Sequence, residues 1–263
     1  MQQEGKLSSK DISPVLKGWD YEPGTISVRK ISGVDGLDKL QMRVDLGLLQ
    51  MEVHGRPDGQ RPHGCESLLE YYENLLSEDR KANGTELGFH LTPTQCQSLR
   101  DEAYMYYQRY VSLFVLEEFA GVVRDTARNL RVLDICHRYA VEENDRMVLE
   151  QYRPYLTMMN ARAAASVLTA AGNYVDALKT VRDAMRKIKR FLTRYGQADA
   201  YAKTDAVKVL KRLARELRAK LPVDPLEQLQ SQLQKAIRAE HYEEAAKLRD
   251  EINRITTTAE SSE

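Results

Sequence analysis

Residues 225–255 read PLEQLQSQLQKAIRAEHYEEAAKLRDEINRI, and the interpretation of the whole chain starts from this stretch. Apolar residues recur in it at intervals of three and four, first from Leu226 to Ile237 and again from Tyr242 to Ile255. This spacing is typical of amphipathic helices. The polar or small residues 239–241 interrupt the period, so the stretch predicts two helices that fold back on each other as an antiparallel hairpin.

A two-helix hairpin of this length buries little apolar surface of its own, and short isolated helices are marginal in water. We therefore expect the hairpin to pack on a second apolar surface. Ala245 is predicted to lie where the two helices approach closely, and Tyr242 is predicted to pack at the corner that follows the turn.

The residues also resemble a known module, the UVR domain found at the C-terminus of UvrB and inside UvrC. The resemblance implies a hairpin that pairs with another UVR hairpin or with a partner protein, and it implies no catalysis. The same module is attached to Clp-type ATPases and their adaptors, so it indicates coupling between proteins. A generic helical hairpin is the alternative. The interaction residues implied by the resemblance are Leu229, Leu233, Tyr242, Ala245, Leu248, Arg249 and Ile252.

Composition limits the remaining possibilities. In 263 residues, 39 Lys and Arg balance 39 Asp and Glu, so the overall charge favours no class of partner. The three cysteines are far apart and form no Cys-x-x-Cys pair, which fits a reducing cytoplasm. Neither a signal peptide nor a membrane span is predicted.

The chain is predicted to be mainly α. Residues 1–64 are expected to form a lead-in and a small antiparallel β-sheet, because apolar residues alternate with a period of two between Ile26 and Val53. Residues 65–221 are expected to form a bundle of long helices, 222–255 the UVR-like hairpin, and 256–263 a disordered tail.

Within the helical region, Thr92 and Pro93 predict a capped helix start. We expect that helix to run to about Arg138 with at most a short break near Asn129. A second helical segment is expected from Glu143, with a kink at Pro154. Residues 160–188 have the spacing of one tetratricopeptide-like helical hairpin.

Four tyrosines at 104, 106, 107 and 110 have two interpretations. They either stack on nucleic-acid bases or pack half-buried against the fold. Because they fall on several sides of one helix, we favour packing.

The loop 54–65, HGRPDGQRPHGC, is rich in glycine and proline. Arg56 and Arg61, with His54 and His63 beside them, predict a candidate anion site. The alternative is a rigid connector whose arginines bond carbonyl groups or acidic neighbours, and we favour it. A metal site from His54, His63 and Cys65 matches no standard ligand spacing, so no metal is expected.

Residues 179–220 contain 14 Lys or Arg and four acidic residues, on two predicted helices separated near Gly196. Such a surface can neutralise nucleic-acid phosphates without reading sequence. The candidate residues are Arg186, Arg190, Lys211 and Arg215. The alternative is a solvated face that pairs with the acidic segments 66–79 or 142–150 of the same or another chain.

No nucleotide-binding Gly-x-x-x-x-Gly-Lys-Ser/Thr string occurs, although that motif accompanies the hairpin in UvrB. No triad of catalytic residues has supporting context either. We therefore expect a non-enzymatic interaction or adaptor protein without a cofactor. The alternatives are a nucleic-acid-associated protein linked to repair or stress, and an anion-binding protein or enzyme at the loop 54–65.

Overall fold

The computed structural model of the chain describes residues 11–221 and 225–260, with the side chains of all of these except 225–228, 231 and 255–260. The first ten residues of the predicted lead-in, the linker residues 222–224 and the tail residues 261–263 lie outside the described residues. The chain divides between Glu216 and Leu217 into two compact units, which we call the first and the second unit. The domain boundaries predicted at 64 and 221 stay predictions.

The described residues form three strands and ten α-helices. The strands are β1 (Val28–Ser32), β2 (Asp38–Val44) and β3 (Gly47–Glu52). The helices are α1 (Ser13–Leu16), α2 (Leu68–Asn83), α3 (Pro93–Val115), α4 (Phe119–Tyr139), α5 (Glu143–Met147), α6 (Arg153–Ala170), α7 (Tyr174–Arg194), α8 (Asp205–Lys220), α9 (Pro225–Arg238) and α10 (Tyr242–Glu260). This architecture confirms the predicted fold class, mainly α with a small antiparallel sheet near the N-terminus.

The three strands form an antiparallel sheet in the order β1, β2, β3. Leu40 on the central strand pairs with Lys30 on one side and with Met51 on the other. Leu40, Met42 and Met51 are buried, and β2 packs on α3. A small sheet needs such a partner, because two or three strands alone bury too little apolar surface.

The helices α3 and α4 form an antiparallel pair. Thr92 starts α3 with a capping box, in which its hydroxyl accepts the backbone N–H of Gln95 and the Gln95 side chain accepts the N–H of Thr92. The chain then reverses at residues 116–118, where Glu117 adopts a left-handed conformation with φ 59°. The expectation of one helix to Arg138 with a break near Asn129 is therefore wrong. Asn129 is buried inside α4, and its amide donates to the carbonyl of Ala103 on α3 at 2.9 Å.

The helices α6 and α7 form the predicted hairpin. Their turn contains Gly172 with φ 76°, and the Asn173 side chain caps α7 by accepting the N–H of Asp176. The small buried residues Ala161, Ala163 and Ala165 allow α6 to pack against both α4 and α7. The kink expected at Pro154 is wrong, because this proline lies in the first turn of α6, where no intrahelical N–H is required.

In the second unit, α9 and α10 pack as a hairpin that turns at residues 239–241, as predicted. Glu240 has φ 61° in this turn, and the N–H of His241 donates to the carbonyl of Ala236 at 2.9 Å. The helix α10 extends to Glu260. The tail predicted from residue 256 stays a prediction, like the other domain boundaries.

Candidate functional site

Two small residues of the hairpin, one on each helix, are buried. These are Ala236 on α9 and Ala245 on α10. Small side chains allow close approach of two helices, so a large or charged side chain at position 245 would separate them.

The larger apolar residues of the hairpin are less well covered. Leu229, Leu233, Leu248 and Ile252 are only half-buried. At the turn end, Ile237 is 51% exposed and Tyr242 is 69% exposed. The expectation that Tyr242 closes the corner of the hairpin is therefore wrong, because its ring lies in solvent.

Arg249 completes the set of predicted interaction residues. It is exposed, and its guanidinium lies 3.1 Å from a carboxylate oxygen of its neighbour Asp250. An exposed pair of adjacent residues adds little stability. The hairpin therefore presents a partly covered apolar face together with exposed charges.

Residues 224–256 match the family model of the UvrB/uvrC motif. The match confirms the UVR resemblance over α9, its turn and most of α10. The UVR motif is found in DNA-repair and related proteins and mediates protein interactions. No curated protein and no solved structure matches the chain. We call α9 and α10 the UVR hairpin from here on.

The loop 54–65 does not present its two arginines to a common ligand. The Nε atom of Arg56 lies 3.2 Å from the buried carboxylate of Glu102 and 3.4 Å from Asp58. Arg61 is exposed and donates to the carbonyl of Gly64 at 3.4 Å. Arg56 thus bonds acidic neighbours and Arg61 bonds a carbonyl group, as the rigid-connector interpretation requires. The contacts therefore favour the connector over the predicted anion site at Arg56 and Arg61.

The histidines of the same loop also have separate neighbours. The ring of His63 stacks on Tyr71 with centroids 4.0 Å apart, while Nδ1 of His54 lies 3.3 Å from the Arg124 guanidinium. Across the described residues, no three His, Cys, Asp or Glu side chains are grouped so that they could hold a metal ion.

Glu102 is the centre of a buried charge network that the sequence analysis did not identify. Its carboxylate is fully buried and accepts the backbone N–H groups of Leu68 at 2.8 Å and Leu69 at 3.3 Å, at the N-terminus of α2. It also pairs with Arg56 and with Arg128 of α4. One side chain of α3 thus joins the loop, α2 and α4.

A second buried pair extends this network towards the sheet. Arg109 and Asp125 form a bidentate ion pair with distances of 2.7 and 2.8 Å. The remaining Nη1 of Arg109 donates to the carbonyls of Glu52 and Gly55. Because the guanidinium is committed to Asp125 and to the loop backbone, this network anchors the loop and offers no group for acid–base chemistry.

The residues of the network could have been suspected from one signal. Glu102 and Arg109 lie within the apolar stripe of α3, which includes Leu99, Tyr106 and Tyr110. A charged residue in an apolar stripe is buried only when it is paired. The pairing partners on α4 lie 16 or more residues away in sequence, so the stripe alone does not identify them.

The four tyrosines of α3 divide into two groups. Tyr106 and Tyr110 are buried, and burial raises the pKa of Tyr106 to about 12. Tyr104 and Tyr107 are exposed and stack on each other with centroids 5.9 Å apart. The packing interpretation therefore describes Tyr106 and Tyr110.

The predicted basic helices are α7 and α8, and the four candidate phosphate-binding residues are all exposed. Arg186 pairs with Asp183 on its own helix, and Nζ of Lys211 lies 5.6 Å from the Tyr201 ring. Glu73 and Glu150, from the two acidic segments, pair instead with Arg131 and Arg153, which lie outside the basic segment.

Arg190 differs from the other three candidates because it lines a cleft of about 750 Å³ in the first unit. The cleft, which we call the basic cleft, is bounded by α2, α4, α6 and α7. Seven Lys or Arg and four acidic residues line it. The basic ones are Arg80, Arg131, Arg138, Arg153, Lys187, Arg190 and Arg194.

Within the part of the chain that the structure describes, none of the helices combines the length and the apolar character that a membrane span needs.

Proposed function

We propose that the chain is a non-enzymatic interaction or adaptor protein that binds a helical surface of another protein, or of its own copy, through the UVR hairpin. The observation that carries the proposal is the match to the UvrB/uvrC motif at residues 224–256. The partly covered apolar face of the same residues supports it.

The exposed end of the hairpin has the chemistry of a binding surface. Ile237 precedes the turn and Tyr242 follows it, and each of these two large side chains is more than half exposed. Tyrosine is enriched in protein interfaces because its ring buries much apolar area while its hydroxyl keeps a polar contact. Half-buried Leu233 and Leu248 supply further apolar area. An amphipathic helix that presents apolar side chains at intervals of three and four residues fits such a face.

The absence of a catalytic role remains part of the proposal. It is supported by the charge network around Glu102 and Asp125, in which the arginines and carboxylates are bonded to each other and to the backbone. The predicted cytoplasmic location stays a prediction.

The experiment combines partner capture from a native extract with light scattering of the purified chain. Tyr242→Ala removes an exposed ring, so it should leave the folded chain intact while weakening association by about tenfold or more. Ala245→Glu should weaken association as well, because it places a charge in the close contact of the two helices. Tyr104→Ala is the matched control, since it removes a similarly exposed tyrosine from α3.

Association that is lost in Tyr242→Ala and kept in Tyr104→Ala supports the proposal. A wild-type chain that is monomeric and captures nothing refutes it, as does a Tyr242→Ala variant that associates like the wild type.

Nucleic-acid binding by exposed basic residues of α7 and α8 is the second candidate. It is supported by the exposure of Arg186, Arg190, Lys211 and Arg215 on two basic helices that are consecutive in the sequence. Reversing these four charges should abolish binding, and the affinity of the wild type should fall steeply with salt for any sequence. No mobility shift at low salt would exclude this candidate.

A further inference from the structure

The basic cleft has a positive charge that its own acidic residues leave unbalanced. Its four carboxylates are already paired, Glu86 with Arg80, Glu73 with Arg131, and both Asp134 and Glu150 with Arg153. Among the residues that the structure describes, no carboxylate lies within ion-pair distance of the four remaining cations. These are Arg138, Lys187, Arg190 and Arg194.

Three of these cations form a row on one helix. Lys187, Arg190 and Arg194 are three and four residues apart on α7, so they share one face of the helix over a length of about 10 Å. Like charges at this spacing repel each other, and a bound anion would remove the repulsion. A row of this length suits a ligand with several negative groups better than a single small anion.

Arg138 is presented to the same cleft from α4. Its guanidinium lies 5.8 Å from the ring centre of Tyr139, which holds it beside an aromatic surface. Cations from two helices therefore line one concavity, as a multidentate anion site requires.

We propose that the basic cleft binds a ligand with two or more phosphate groups, held by Lys187, Arg190 and Arg194 of α7 and by Arg138 of α4. Lysine and arginine are the side chains that proteins use for phosphate recognition. The volume of about 750 Å³ lies within the range of small-molecule sites.

Nucleotides are one chemical class that fits both the charges and the aromatic lining. Phe191 and Tyr195 lie on α7 among the cations, with ring centroids 4.8 Å apart. Aromatic rings beside a row of cations are the arrangement that binds nucleotide bases and phosphates together. A second cavity of about 750 Å³ shares Arg138, Tyr139 and the ion pair of Arg80 with Glu86 with the cleft, so the two cavities are continuous. The phosphate groups can come from a free nucleotide or from a short single strand.

The test uses the full chain and three probes at about 50 mM salt. The probes are inorganic tripolyphosphate, adenosine triphosphate and a labelled single strand of about ten nucleotides. Binding is followed by calorimetry and by fluorescence anisotropy. The variant Lys187→Ala/Arg190→Ala removes two cations of the cleft. The matched control Arg182→Ala/Lys189→Ala removes one lysine and one arginine from α7 that are exposed outside it.

We expect at least one probe to bind the wild type, and we expect the cleft variant to lose on the order of tenfold in affinity. The control should change by less than about twofold. For a single strand, the logarithm of the binding constant should fall with the logarithm of salt with a slope of about −3, the value for four phosphates neutralised by the four cations. Binding of tripolyphosphate or adenosine triphosphate identifies a small phosphate ligand as the source, and binding of the single strand alone identifies a nucleic-acid strand.

The proposal is overturned if no probe binds, or if the control variant loses as much affinity as the cleft variant. All four substituted side chains are exposed, and thermal unfolding of each variant checks that the fold is retained. Because Tyr242→Ala does not change the cleft, that variant should bind the probes like the wild type, so the result is independent of the proposed role of the UVR hairpin.

Discussion

Replacing Glu102 by glutamine tests whether the buried charge network holds the first unit together. The carboxylate accepts two N–H groups at the start of α2 and pairs with Arg56 and Arg128. Glutamine has nearly the same shape but offers one acceptor oxygen, and its NH₂ group must then face an N–H donor or a guanidinium. The substitution also leaves Arg128 buried without its one ion-pair partner among the described residues.

The magnitude follows from these contacts. Breaking a buried ion pair by neutralising one partner costs about 3–5 kcal/mol. Arg56 keeps a contact of 3.4 Å with Asp58, which favours the lower end of this range. For a folded unit of this size, the loss corresponds to a melting temperature lower by roughly 6–20 °C.

Urea unfolding measures the effect, followed by the fluorescence of Trp19, the single tryptophan of the chain. Trp19 lies in the first unit, where its Nε1 donates to the Ser27 hydroxyl, so it reports on that unit. Asp101→Asn is the matched control, because it makes a similar acid-to-amide change at an exposed position of α3 and should cost less than about 0.5 kcal/mol.

A Glu102→Gln variant within about 1 kcal/mol of the wild type would refute the importance of this network. A double-mutant cycle with Arg128→Met measures the coupling free energy between Glu102 and Arg128, separately from the other contacts of Glu102. The double variant should be destabilised by less than the sum of the two single variants, because the second substitution removes the charge that the first one leaves unpaired.

Three further predictions concern single contacts. In the native chain, one thiol should react rapidly with a disulfide reagent and two should react only on unfolding, because Cys96 and Cys136 are buried and a reagent cannot reach them; the hydrogen bond with Cys96 and burial also raise the pKa of the Cys136 thiol, and the reactive thiol is Cys65. The hydroxyl of Tyr139 lowers the pKa of Glu86, so Tyr139→Phe should raise that pKa in a carboxyl NMR titration. This hydrogen bond stabilises the fold above the ordinary glutamate pKa, and its contribution is lost as the pH falls through the lowered value. Asn173→Ala should cost about 1 kcal/mol in chemical unfolding, because it removes the cap that accepts the Asp176 N–H of α7; an unchanged midpoint would contradict this.

Local features of the chain were predictable because their physical causes lie within a few neighbouring residues. The hairpin turn at 239–241 follows from an interrupted helical period, and the start of α3 follows from a hydroxyl cap before a proline. The strands between Val28 and Glu52 follow from alternating apolar residues. The UVR resemblance belongs to this class as well, since it is a string within one hairpin.

Other features depended on contacts between distant segments. Residues 116–118 carry no glycine or proline, and the chain reverses there because α3 and α4 then bury their apolar stripes against each other. The exposure of Tyr242 also depended on packing, although within one hairpin, because the two hairpin helices leave its ring outside.

Asp101 and Glu102 show most directly what the sequence pattern does not predict, namely which charged side chains are buried. They are adjacent acidic residues on one helix, yet Asp101 is exposed and Glu102 is fully buried between two arginines and the start of α2. The basic cleft also depends on the tertiary structure, because its cations lie on α4 and α7 and are about 50 residues apart in the sequence. The sequence by itself determined the helices, the strands and the UVR hairpin, because short-range periodicity and capping control them. Only the tertiary structure decided which charges are buried, which are paired and which remain open to a ligand, because those outcomes depend on electrostatic contacts between segments that are distant along the chain.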